Sequence, residues 1–134
     1  MAGDATRAAK IEALDTILMT SGSPFLALCT SPPSANALGT EYAATGYARQ
    51  AVTWNAVTNA DPPVATSSGA LTFGPFTAGT GATITHVALM DAVSGGTAAH
   101  MRAFWELDEP VTPATSDTFD LVDGELQFQT DPPG

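Results

Sequence analysis

Pro24 divides this sequence into two grammars. Before it, apolar residues recur at three- and four-residue spacing. After it, they alternate in short runs bounded by glycine and proline. The first pattern predicts one helix over residues 4–20, in which Ile11, Leu14, Ile17 and Leu18 form a single apolar stripe. Asp4 is placed to cap it, and Ala5, Ala8, Ala9 and Ala13 favour the helical state. Ser21-Gly22-Ser23-Pro24 ends it, since proline cannot continue a helix. A helix of this length needs a partner surface. Its stripe must therefore pack on the rest of the chain or bind another protein.

The second pattern predicts strands over residues 25–30, 47–57, 70–78, 83–91, 98–107, 118–122 and 125–130. In the second of these, Ala48, Gln50, Val52 and Trp54 fall on one face, and Tyr47, Arg49, Ala51 and Thr53 on the other. Gly74-Pro75 marks a bulge or an edge strand. Ser94-Gly95-Gly96 predicts a hairpin, and Asp123-Gly124 predicts a tight turn joining the last two strands as a pair. Residues 31–46 read as loop. The expected fold is mainly β: an antiparallel β-sandwich or jelly-roll-like domain preceded by one helix. The expected organisation is helix and linker over 1–23, sandwich over 24–130 and a tail over 131–134.

Charge narrows the partners. Four Lys and Arg face fourteen Asp and Glu, a net charge of −10. Residues 1–60 carry −1 and residues 61–134 carry −9, with Arg102 the single Lys or Arg of that half. Such a surface repels phosphate backbones, whose affinity for proteins comes mostly from Lys and Arg. Anionic membranes are repelled likewise, so neither nucleic acid nor membrane is an expected partner. No apolar run approaches the ~20 residues that span a bilayer, and Asp4, Glu12 and Asp15 interrupt any signal-peptide core. Cys29 is alone and apolar in setting, which forbids an internal disulfide and predicts an inert thiol in a protein made in a reducing cytoplasm.

Chemistry is sparse. His86 and His100 flank the predicted hairpin turn and would supply half a metal site, without a third ligand at metal-like spacing. Asp117, Asp120 and Asp123 with Gly124-Glu125 match a calcium loop only loosely, being three residues apart rather than two. Asp108-Glu109 beside Pro110 reads as an exposed rim. The chain has no Gly-x-Ser-x-Gly elbow, phosphate loop or dinucleotide fingerprint. We expect no catalytic residue, no cofactor and no metal. Trp54 and Trp105 fall at strand periodicity as core, and they are also the candidate interface aromatics, because Trp is enriched at interface anchors.

The segment Gly46-Tyr47-Ala48-Arg49-Gln50-Ala51-Val52-Thr53-Trp54 resembles a strand of small virion proteins of tailed bacteriophages. The resemblance continues through Thr85-His86-Val87-Ala88-Leu89-Met90-Asp91-Ala92, Ser94-Gly95-Gly96, Phe104-Trp105-Glu106-Leu107, Asp117-Thr118-Phe119 and Gly124-Glu125-Leu126. It spans about residues 45–130 and does not include the helix. It implies a structural component of a phage particle, synthesised in the host bacterial cytoplasm and without a catalytic site. Similar chains serve as capsid decoration proteins and as minor tail or tail-fibre proteins. Shortness, the lack of a fibre repeat and the acidic charge favour decoration of the outer capsid surface. The major capsid protein is then the expected partner, with the helix stripe Ile11, Leu14, Ile17 and Leu18 among the contacts and a homotrimer as the expected assembly. The alternatives are a minor tail or tail-tip protein, partnered by tail proteins, and a carbohydrate-binding sandwich using Tyr42, Tyr47 and Trp54.

Overall fold

Helix α1 spans Arg7–Leu18. Its cap is Thr6, whose Oγ1 accepts the Ala9 N–H at 3.2 Å. This side-chain acceptor satisfies one of the donors that the first helical turn leaves free. The computed structural model describes residues 6–18, 24–59, 63–95 and 98–129, so the expected cap Asp4 and the residue 21–23 terminator lie outside the described residues.

The protein is mainly β and antiparallel, with one α-helix among the described residues, which comes first. A four-stranded sheet has the order β2 (Gln50–Ala51), β1 (Phe25–Cys29), β6 (Ile84–Met90), β7 (Met101–Val111). Facing it are a three-stranded sheet, β3 (Thr53–Trp54), β4 (Val64–Ser68), β9 (Gln127–Gln129), and the pair β5 (Leu71–Phe73), β8 (Phe119–Leu121). Period-two alternation builds the core between these layers. Leu26 and Leu28 of β1 and Val87 and Leu89 of β6 meet Ala65, Phe73, Phe119 and Leu121 from the opposite layer. Leu14 and Leu18 of α1, both 0% exposed, complete the same cluster, and α1 lies against β7. The reverse face of the four-stranded sheet buries Ala27, Cys29, Ala88 and Met90, covered in part by Leu38 from the long loop after β1.

Three sequence expectations change. The strand expected over 47–57 is two: it leaves the four-stranded sheet at Val52 and joins the other layer at Thr53. Such a crossing corner is how one chain serves both sheets of a sandwich. β4 was not expected, because Val-Ala-Thr-Ser-Ser offers small side chains. Those side chains are what fits, with Ala65 and Ser67 buried. The last two strands do not pair with each other. A turn does form at Asp123-Gly124, with the Glu125 N–H donating to the Val122 carbonyl at 3.1 Å, but β8 pairs with β5 and β9 with β4.

The expected β6–β7 hairpin is present. Its connection is longer than a two-residue turn, since the Asp91 N–H donates to the His100 carbonyl and a short 3-10 turn, Ala98–His100, precedes β7. Within the hairpin, Glu106 pairs with His86 and Val111 with Ile84. Thr85 alone therefore faces residues 107–110, a bulge that contains Asp108, Glu109 and Pro110. Beside this bulge the alternation of β6 is broken, and Ile84 joins odd-numbered Val87 and Leu89 in the core cluster.

Candidate assembly surface

The Gly46–Gln50 segment carries a buried polar cluster rather than an exposed binding strip. The Arg49 side chain is 2% exposed. Its Nε donates to Glu41 Oε2 and its Nη2 to Glu41 Oε1, each at 2.9 Å. It also donates to the carbonyls of Ala92 at 2.9 Å and Gly95 at 2.7 Å, which ties the β6–β7 connection to the loop after β1. The Tyr47 hydroxyl donates to Glu41 Oε2 and accepts the Leu28 N–H at 3.1 Å. Burial pulls the Glu41 carboxyl upward, yet the bonds from Arg49 and Tyr47 outweigh it and hold Glu41 below the ordinary range. Burial and the bond to Glu41 raise Tyr47 well above the usual phenol range. Arg49, Glu41 and the Tyr47 hydroxyl thus bind one another and the backbone, and the cluster holds the fold; the neighbouring Tyr42 hydroxyl is buried without a partner among the described residues.

A hollow of about 380 Å3 lies beside this cluster, lined by Glu41, Tyr42, Tyr47, Arg49, Val93 and Ser94. A second concave surface lies where the sandwich ends. β7, β8 and β9 are each the last strand of their sheet. Between them runs a groove of about 290 Å3, with Val87, Trp105, Leu107, Leu121 and Leu126 beneath and Glu106, Asp108 and Glu125 at the rim. Past Leu107 it continues into a second hollow of about 420 Å3, bounded by Glu109, Val111, Phe119 and Asp120. Five exposed carboxylates thus surround an apolar floor, and no Lys, Arg or His lines either hollow. Charge repulsion and the apolar floor suit protein contact rather than anionic ligands.

The residues singled out in the sequence are distributed as follows. In the helix stripe, Leu14 and Leu18 lie in the core, while Ile17 and Ile11 are half-buried. Trp54 and Trp105 stack on each other across the two layers, with centroids 6.2 Å apart and planes 26° apart. Trp105 also meets Phe128 edge-on at 6.1 Å and donates its indole N–H to the Gln127 carbonyl at 2.9 Å. Of the aromatics that a sugar platform needs, Tyr42 is 2% exposed and packs edge-on against Phe76, while Tyr47 and Trp54 are half-buried against the core.

The two histidines do not face each other. His86 sits opposite Glu106, its Nε2 3.8 Å from Oε2, while His100 Nδ1 lies 2.9 Å from Asp91 Oδ1. Asp117, Asp120 and Asp123 each have a hydrogen-bond partner: the Ala114 N–H, the Thr118 hydroxyl and, from across the fold, the Gly69 N–H. Among the described residues no group of three His, Cys, Asp or Glu is arranged to hold a metal. Cys29 is fully buried, and burial with the nearby Glu41 charge pushes its thiol up to about 11. The thiolate needed for nucleophilic chemistry is therefore scarce at neutral pH. Sequence reasoning did not find the groove. Its acids were visible one at a time, but only the pairing of β8 with β5 and β9 with β4 brings them round one hollow.

A family model described as podophage GP4 fiber I protein gp80 matches residues 6–129. The chain belongs to this family. The gp80 family is one of bacteriophage structural proteins, and its match runs from the Thr6 cap through β9. It thus takes in α1, which the strand resemblance left out, as well as the Arg49 cluster and the groove. No curated protein matches the chain. No helix among the described residues is long and apolar enough to cross a membrane.

Proposed function

We propose that this protein is a non-catalytic structural subunit associated with a tailed-phage fibre, working by contact with neighbouring virion proteins. The observation that carries the proposal is the match to a fibre I protein family over residues 6–129. It favours the tail-fibre alternative over capsid decoration, the leading expectation from sequence. The structure adds two supports. The polar groups of Arg49 and Tyr47 are committed internally. The groove beside β7 has the apolar floor and charged rim of a protein-binding surface. On a shell, the neighbour would be the major capsid protein and the assembly a trimer. On a fibre, the neighbour is a fibre or tail protein.

Virions labelled with antibody against this chain and imaged by electron microscopy test the location. Label is expected at the tail vertex or its fibres. Label spread evenly over the shell would replace the fibre reading with decoration.

A further inference from the structure

We infer that the groove between β7 and β8 receives an extended, Lys- or Arg-bearing segment of another virion protein. The identity of the donor as a virion protein rests on the proposed function; the chemistry of the segment rests on the groove alone.

Charge selects the occupant. Glu106, Asp108, Glu109, Asp120 and Glu125 surround the groove. Arg102, the single Lys or Arg after residue 61, lies outside it and donates to Asp91 Oδ2 at 2.7 Å. Of the five carboxylates only Glu106 has a basic neighbour among the described residues, His86 Nε2 at 3.8 Å; Asp108, Glu109, Asp120 and Glu125 have none. A second copy presenting the same face would set carboxylates against carboxylates, which disfavours a symmetric self-contact. A cationic partner removes that repulsion.

Backbone geometry selects an extended segment. Three sheets end at this groove, and a terminal strand presents N–H and C=O groups on its outer side. Proteins commonly recognise extended peptides by adding them to such an edge, with alternate side chains entering pockets. β7 is the longest strand, and its bulge carries residues 107–110 away from regular pairing with β6. The floor supplies the pocket for alternate apolar residues: Leu107 and Trp105 are half-buried, and Val111 is 36% exposed at the end of the strand. A segment alternating cationic and apolar residues satisfies both the rim and the floor.

The test is peptide binding by the full chain in solution, which does not depend on where the protein sits in the virion. The probes are labelled Lys-Val-Lys-Val-Lys, its Glu-Val-Glu-Val-Glu counterpart, Lys-Gly-Lys-Gly-Lys, and a backbone N-methylated copy of the first. Only the first is expected to bind well, with NMR shifts confined to the Trp105 indole and residues 106–111 and 119–127. The combined change Glu106→Gln, Asp108→Asn, Glu109→Gln, Glu125→Gln should weaken it about tenfold, the sum of several exposed pairs each contributing a few tenths of a kcal/mol. Circular dichroism of the variant checks that the fold is kept. Equal binding of the Lys-Gly peptide would overturn the apolar floor, and equal binding of the N-methylated peptide would overturn edge pairing. Shifts scattered over the surface would overturn the site. Concentration-dependent self-association that the four-residue variant abolishes would replace the foreign segment with a second copy.

Discussion

Arg49 and Glu41 form a two-point ion pair, with both N–O distances at 2.9 Å, and the same guanidinium reaches two carbonyls of the β6–β7 connection. One planar fork thus joins its own segment, Glu41 in the loop just before it and the β6–β7 connection far along the chain. Lysine has no fork and cannot satisfy the same set. Arg49→Ala should cost about 3 kcal/mol in denaturant unfolding, the low end for breaking a buried pair, because Glu41 keeps 26% of its side chain exposed. Arg49→Lys should recover only part of this. Unchanged stability in both variants would mean that the β6–β7 connection is held by other contacts.

The same cluster sets the pH range of stability. Glu41 is lowered when folded, so its contribution is present above its ordinary value of 4.5 and is lost as pH falls through the folded value. Cys29 is raised from 9.0 to about 11, and Tyr47 is raised above 10.0. Their contributions are present below those ordinary values and are lost as pH rises past them. Melting temperature should be flat between about pH 5 and pH 8 and fall on both sides. Glu41→Gln should flatten the acid limb relative to the native chain, and Cys29→Ala should reduce the alkaline one.

Gly46 is required by space as well as by angle. Its φ is +95°, and a Cβ there would lie 2.3 Å from the Pro75 carbonyl oxygen. The approach is fixed by the Thr45 N–H donating to the Ala78 carbonyl at 2.8 Å and by the Thr77 N–H donating to the Thr45 carbonyl at 2.9 Å. Gly69 has a similar φ of +81° with nothing within 4 Å. Gly69→Ala should therefore cost only backbone strain, about 1 kcal/mol, and Gly46→Ala at least twice that. Equal losses in thermal unfolding would show that the loop moves aside.

The helix stripe divides by burial. Leu14 is 0% exposed in the shared core, so Leu14→Ala should cost about 2–5 kcal/mol in unfolding experiments. Ile11 is half-buried one turn earlier, and Ile11→Ala should cost less. If the stripe also binds a neighbour, the Ile11 variant is the one to read in particles: stable protein with reduced incorporation supports that role, and full incorporation removes it.

Legibility in the sequence followed the strength of local pattern. The helix, β1, β6 and β7 were visible because large apolar residues such as Leu14, Leu26, Val87 and Trp105 repeat at the right period. β4 was not, because Ala65 and Ser67 are buried by fit rather than by hydrophobicity. The change of sheet at Val52 was also hidden, since alternation continues unbroken through a strand that changes partner. The groove is a product of pairing between distant strands, and no local pattern encodes it. Tyr47 and Arg49 were conspicuous as part of a resemblance, but their role as a buried cluster needed Glu41, which lies in a segment that reads as loop.

The two tryptophans make the sharpest asymmetric case. They stack at 6.2 Å, so both gain from the same contact. Their polar ends differ. Trp105 donates its N–H to the Gln127 carbonyl at 2.9 Å and so holds β9 beside β7, whereas the Trp54 N–H is buried with no partner among the described residues. A buried donor without an acceptor costs stability, and removing it relieves that cost. Trp54→Phe should therefore lose less than Trp105→Phe, by about 1–2 kcal/mol, although the change in ring size is the same. Denaturant unfolding of the two single variants measures the difference directly. Equal losses would mean that ring packing alone sets the contribution of the pair. If Trp54 is also an interface anchor, Trp54→Phe should in addition reduce particle incorporation.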